Sequence, residues 1–260
     1  MSAKVAMAVS AHPDDIELMM AGTLILLGAQ GYQMHMMNVA DGSCGTASLP
    51  VGQIIEQRRQ EAQNAATTIG ACYHPPLVHD FGIYYEPKLL AKLAAVVRRV
   101  KPTILLLPAP EDYMEDHINA SRLMVSAAFT RGMANFTTDP PTAPYDAPVA
   151  LYHALPWGLL DPLRRPVPAE LFVDIGSVLD KKTSMLACHV SQKDWLAQSQ
   201  GVDYLKLMRE MAAQVGSHAR PGSYAEGWRR HLHLGFAPQD YDPLSEALAD
   251  FLIGTVHTPE

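Results

Sequence analysis

A chain of 260 residues with a formal charge of −7 is long enough to bury a full core within one large domain. Its acidic balance excludes nonspecific nucleic-acid binding, which needs a positive surface to neutralise phosphates, and points to small substrates. No run approaches the roughly 20 apolar residues of a membrane span, and with no signal peptide ahead of the first apolar run the expected location is cytoplasmic.

Val5 to Val9 reads as a buried parallel strand, and Ile16 to Gln30 as the helix that follows it. Between them stands Ser10-Ala11-His12-Pro13-Asp14-Asp15-Ile16-Glu17. It puts an imidazole and two carboxylates at a strand's carboxyl end, where open α/β sheets place their chemistry. The spacing suits a zinc- or iron-type metal once Pro13 turns the backbone; it equally suits a helix N-cap by Asp14 or Asp15. Gln33 to Val39 is a second strand, ending in the polar loop Asp41 to Thr46. A helix from about Ile54 to Ile69 carries Arg58, Arg59 and Glu61 near its start and a small face of Ala62, Ala65 and Ala66. Leu77 to His79 reads as a short third strand, Pro87 to Val100 as a helix, and Thr103 to Leu107 as a fourth strand.

The acidic loop Pro108 to Asn119 opens a helix running to about Met133 and would bring His117 toward His12, giving three protein ligands and an open position; Asp116 could instead be a cap. Beyond a turn-rich loop, Thr137 to Pro148, strands are expected at Ala150 to His153 and Leu171 to Asp174. Helices follow at Ser177 to His189 and Tyr204 to Val215, then a Gly-rich, aromatic tail. The expected fold is a single α/β domain with a largely parallel, Rossmann-like sheet and helices on both faces. A dinucleotide is disfavoured, because His-Pro-Asp-Asp stands where a GxGxxG turn would cradle pyrophosphate. Cys44, Cys72 and Cys188 are widely spaced and lack CxxC, so buried, reduced thiols are expected rather than disulfides or a thiolate zinc site.

Residues 11–17 resemble the AHPDDxE signature of the LmbE-like, or PIG-L, family of zinc-dependent de-N-acetylases without a mismatch. The resemblance continues through Asp41-Gly42, Arg58 with Glu61, Asp116-His117, and His189 with Ser191-Gln192, and more weakly through Tyr224-Ala225-Glu226. It implies that His12, Asp15 and His117 bind Zn2+, with Fe2+ a second candidate, and that Asp14 is the general base. It implies an LmbE-like domain over residues 1–260, whose C-terminal segment, about 194–260, completes the pocket or an oligomer contact. It also implies an N-acetylglucosamine-type substrate and homo-oligomeric assembly. Arg58, Asp41 and His189 are the expected substrate contacts.

One departure stands out: the family's second motif commonly begins with a His where this chain has Met114, and a thioether neither titrates nor donates a hydrogen bond. Tyr113, through its O–H, is the first candidate to replace it, with Asp112, His79, His153 and His189 as others. Tyr84, Tyr85 and Trp157 could stack on a sugar, and Trp228, Arg229 and Arg230 could line an entrance or an oligomer contact. An amidase acting on another small amide, such as a thiol conjugate, and a noncatalytic metal- or sugar-binding relative are the alternatives.

Overall fold

The computed structural model describes residues 4–254, with the backbone alone for residues 198–200, and its centre is a strand buried along its whole length. That strand, β1 (Val5–Ser10), is buried at every position, as a strand covered on both faces must be. Ala6 and Ala8 face one layer with Leu24, Leu27 and Met185, and Met7 and Val9 face the other with Leu93, Val97 and Leu123, following the two-residue period of a strand.

The other strands are β2 (Gln33–Asn38), β3 (Cys72–His74), β4 (Ile104–Leu107), β5 (Ala150–Ala154), β6 (Leu171–Asp174) and β7 (Ala225–Arg230). They form a seven-stranded sheet in the order β3-β2-β1-β4-β5-β7-β6. β1, β2, β3, β4 and β5 pair in parallel, and β7 alone runs against its two neighbours. One face is covered by α1 (Asp15–Met19), α2 (Ala21–Ala29), α3 (Val51–Thr68), α6 (Leu179–Leu186) and α8 (Tyr204–Ala219). The opposite face is covered by α4 (Pro87–Val100) and α5 (Glu115–Phe129). The expected α/β architecture, with helices on both faces of a mostly parallel sheet, is what the chain adopts. Among the described residues no helix is long and apolar enough to cross a membrane.

Five local expectations are corrected. The helix expected over Ile16 to Gln30 is two helices, broken at Met20 (φ −134). The break is held from far away in sequence: Glu226 of β7 accepts the Gly22 and Thr23 N–H groups at 2.8 and 2.7 Å. These are free N–H groups at the start of α2, which a carboxylate satisfies. Lys182 of α6 neutralises it at 2.6 Å. The third strand is Cys72–His74, not Leu77 to His79. Pro75 and Pro76 lack N–H groups and end the ladder, and Leu77 and Val78 follow the chain beyond β2 through bonds to Val39 O, a bond from Asp41 N to Val78 O and the single bridge Ala40–Val78.

The helix expected to end at His189 stops at Leu186, and α7 (Val190–Gln200) follows. The tail contains β7, inserted between β5 and β6, with Gly227 where a Cβ would meet Leu155 at 2.7 Å. The cysteines are free, as expected, but Cys44 and Cys72 are exposed and Cys188 half-buried; the expectation of burial fails because Cys72 lies on the edge strand β3 and Cys44 in the loop between β2 and α3.

Candidate metal centre

Strand order reverses between β1 and β4, which opens a crevice at their carboxyl ends. His12 leaves one side of it and Asp112 to His117 the other. The β1–α1 turn passes through Asp14 at φ 105, a left-handed conformation that costs a non-glycine residue and clusters at functional sites. This turn directs the side chains on either side of Asp14. The Asp15 Oδ2 accepts hydrogen bonds from Ser10 Oγ at 3.0 Å and from the His12 N–H at 2.7 Å. Asn38, at the end of β2, donates to His12 O at 2.6 Å. Neither Asp14 nor Asp15 is a side-chain cap: the Asp14 N-cap makes no such bond. The same holds for Asp116, since the N-cap of α5 is Met114.

His12, Asp15 and His117 each offer one ligand atom within 4.8 Å of the others. His12 Nδ1 lies 3.7 Å and His117 Nε2 3.4 Å from the same Asp15 Oδ2. The outer ring nitrogens are also engaged: His12 Nε2 bonds Asp116 Oδ2 at 2.9 Å, and His117 Nδ1 bonds Asp112 Oδ1 at 2.9 Å. Each carboxylate holds a proton on the outer nitrogen, so both inner nitrogens present lone pairs, as in carboxylate–histidine–zinc arrangements. Two imidazoles and one carboxylate are a donor set that fits zinc with a position left open. Asp116 also accepts the Phe81 N–H at 2.7 Å, which fixes it in turn.

Without a cation, these charges must be borne by protons. Burial opposes charge on His12, yet hydrogen bonds to Asp116 and Asp15 outweigh it and push its pKa up to about 10. His117 is raised against burial by Asp15 and Asp112. Asp15 is buried but held well below the usual carboxylate range by His117 and His12. Such a site has a strong appetite for positive charge.

Asp14 stands beside this trio without joining it. Burial raises its carboxyl to about 6, against the pull of Arg58, whose Nη2 is 3.4 Å away. Arg58 is itself buried, donating to the carbonyls of Pro13 and Gly42. Only glycine fits around it: a Cβ on Gly42 would lie 2.5 Å from Arg58 Cδ, and one on Gly45 2.3 Å from Nη1. Glu61, one turn further along α3, accepts from Ser191 N and Oγ at 2.9 and 2.6 Å, and Gln192 donates to Gly45 O at 2.8 Å. The Arg58–Glu61 and Ser191–Gln192 segments thus brace one loop.

The trio opens into a cavity of about 660 Å3 whose wall includes Asp14, Arg58, Tyr113, Met114, Trp157 and Trp195. The other expected contacts lie elsewhere. Asp41 serves its own turn, accepting from Ser43 N at 3.0 Å and pairing with His79 at 2.5 Å. His189 is fully buried behind the wall, 3.3 Å from Glu17. His79 is largely exposed, and His153 lines a different cavity with Tyr85, Arg229 and Arg230. Trp228 is core, not entrance: it is fully buried and donates to Thr23 Oγ1 at 2.9 Å. Residues 195–207 bring Trp195, Leu196, Val202, Tyr204 and Leu207 to the wall. Asn38 was not anticipated, and Ser10 stood in the first motif without a role; a polar residue ending a strand was the available signal.

Residues 7–128 match the family model described as PIG-L: GlcNAc-PI de-N-acetylase. The chain is 29% identical over 202 residues to 4-oxalmesaconate hydratase of Pseudomonas putida, spanning 73% of this chain and 74% of that protein. It is 26% identical over 238 residues to diacetylchitobiose deacetylase of Thermococcus kodakarensis, spanning 87% and 82%. Among solved structures, 4-carboxy-2-hydroxymuconate hydratase of Pseudomonas putida superposes with a TM-score of 0.72 at 26% identity, over 88% of this chain and 96% of that one.

Proposed function

Since residues 7–128 match the PIG-L family, we propose that the chain is a metal-dependent hydrolase that removes an N-acetyl group from an N-acetylglucosamine-type amino sugar or its conjugate. The observation that carries this reading is the convergence of His12 Nδ1, Asp15 Oδ2 and His117 Nε2 beside a carboxyl, Asp14, that is not one of them. Zinc held there would lower the pKa of a bound water from 15.7 toward ~7 and polarise an acetamide carbonyl. Asp14 takes the proton of the attacking water and returns it to the amine that leaves, so one carboxyl serves as base and then acid. Arg58 fixes Asp14 in place, and Asp112 and Asp116 hold the two imidazoles in their metal-binding tautomers. Tyr113, on the cavity wall, donates its O–H to the oxyanion in place of the missing histidine. Acetate and a free amine are the products.

The Pseudomonas relative favours a second reading, hydration of a small unsaturated acid, through the same water-activating residues. The charge of the wall disfavours it. Beyond the carboxylates already paired with Arg58, the imidazoles or the metal, Asp80 and Asp161 add negative charge to the wall, while among the described residues Arg58 is its one Lys or Arg, and Arg58 is already occupied by Asp14 and two carbonyls. An uncharged, hydroxylated substrate meets no such repulsion. The two readings separate on one sample: acetate release from N-acetylglucosamine and its glycosides supports the first, and loss of conjugated absorbance from unsaturated dicarboxylic acids without acetate release supports the second.

A further inference from the structure

We propose that His35, Cys72 and His74 form a second metal site, suited to zinc, at the open edge of the sheet and independent of the His12 centre. The three offer ligand atoms within 4.8 Å of one another, and none of them takes part in the chemistry above. Their convergence follows from strand register. β2 and β3 pair in parallel with His35 opposite Cys72 and Met37 opposite His74, so the two-residue period sets all three on one face. His35 Nδ1 and His74 Nε2 already point at each other, 2.9 Å apart, and the rings are inclined by only 24°. In a tetrahedral zinc site with Zn–N of about 2.0–2.1 Å, two imidazole nitrogens stand about 3.3 Å apart. The pair therefore needs only a few tenths of an ångström of spreading to admit the ion, and Cys72, free and exposed, can swing its thiol in from the solvent side.

The chemistry of the donors selects the ion. Two imidazoles and a thiolate are borderline-to-soft ligands, matched to zinc and not to magnesium or calcium. Of the two facing nitrogens one carries a proton; on binding, that ring moves its proton to its outer nitrogen, and Cys72 releases one proton to solvent as it becomes a thiolate. The fourth position faces water. The ion would tie β3, a three-residue strand with only β2 as neighbour, to the body of the sheet.

Cobalt substitution tests this in the full-length protein, because a thiolate ligand gives cobalt(II) an intense sulfur-to-metal charge-transfer band that the thiolate-free His12 centre cannot produce. The expected result is about two cobalt per chain with the charge-transfer band and about one proton released on filling the His35 site. Cys72→Ser should lose the band and one equivalent while keeping acetate-releasing activity. His12→Ala should lose the other equivalent and keep the band. His35→Gln, which removes the ligand nitrogen but leaves the thiol, should also abolish the band. Absence of the band in wild-type protein, or its survival in Cys72→Ser or His35→Gln, would overturn the proposal. Failure at the His12 centre alone would leave the band intact, so the two sites are judged separately.

Discussion

His12 Nε2 lies 2.9 Å from Asp116 Oδ2, both side chains buried, so the outer face of this imidazole is committed to a carboxylate before anything binds its inner face. His117 is held in the same way by Asp112. Outer carboxylates of this type fix the ring tautomer and are typically worth about 10- to 100-fold in metal affinity. Asp116→Asn and Asp112→Asn should each weaken zinc binding within that range without unfolding the protein, as read by competition with a chromogenic chelator. Affinity unchanged in both would mean that the imidazoles bind metal without their help.

Tyr113 and Met114 make a linked prediction. Both border the cavity, and the Tyr113 ring meets His117 edge-on at 5.6 Å. If the phenol donates to the oxyanion, Tyr113→Phe should lower kcat by roughly 10²–10³ with little change in KM, the usual cost of one lost donor. Met114→His in that background should restore part of the loss, since an imidazole there supplies a donor that a thioether cannot. Equal kcat for Tyr113→Phe and wild type would remove the phenol from the chemistry.

Glu226 has a structural prediction. Its carboxylate is paired with buried Lys182 and also satisfies the first N–H groups of α2. Removing one partner of a buried, bonded pair typically costs about 3–5 kcal/mol. Glu226→Ala should therefore lower Tm by roughly 6–20 °C, at about 2–4 °C per kcal/mol for a chain of this size, with Lys182→Ala similar. A shift of only a degree or two would show that water replaces the pair.

His153 predicts a pH effect on stability. Burial, which outweighs its hydrogen bond to Pro108, lowers its pKa to about 4. An unfolded chain protonates this imidazole below about 6.5, whereas the folded one does not until about 4. Between those values the unfolded state holds more protons, so stability is lost as pH falls through the window, by roughly 3 kcal/mol in all. His153→Asn should flatten the wild-type decline between pH 7 and 4.5 by an amount of that order in urea titrations. Parallel declines would exclude His153 as its source.

The winding of β1, β2, β4 and β5 and the polar segments at two strand ends were legible because both are local. A continuous apolar run followed by a turn states a buried strand, and a His-Pro-Asp-Asp segment states a turn bearing donors. What escaped was set by partners distant in sequence. The break at Met20 depends on Glu226, more than two hundred residues on. The strand β7 has no apolar alternation, since Glu226 and Arg229 interrupt it, and it exists because β5 and β6 leave a gap for it. His189 carries the same residue type as a substrate contact would, but Glu17 and the close packing behind the wall turn it inward. Cys72 reads from sequence only as a reduced thiol, because nothing local joins it to His35; the register between two strands brings His35 to Cys72 and His74.

The most direct measurement is acetate release from N-acetylglucosamine and its simple glycosides by zinc-loaded protein, with zinc counted at the His12 centre in the same samples. Wild type should release acetate only with metal; His12→Ala and His117→Ala should lose that zinc and the activity together. Asp14→Asn should keep the zinc yet lose turnover by roughly 10²–10⁴, the span of general acid–base assistance. Full activity in Asp14→Asn, or undiminished release from metal-free wild type, would contradict the account.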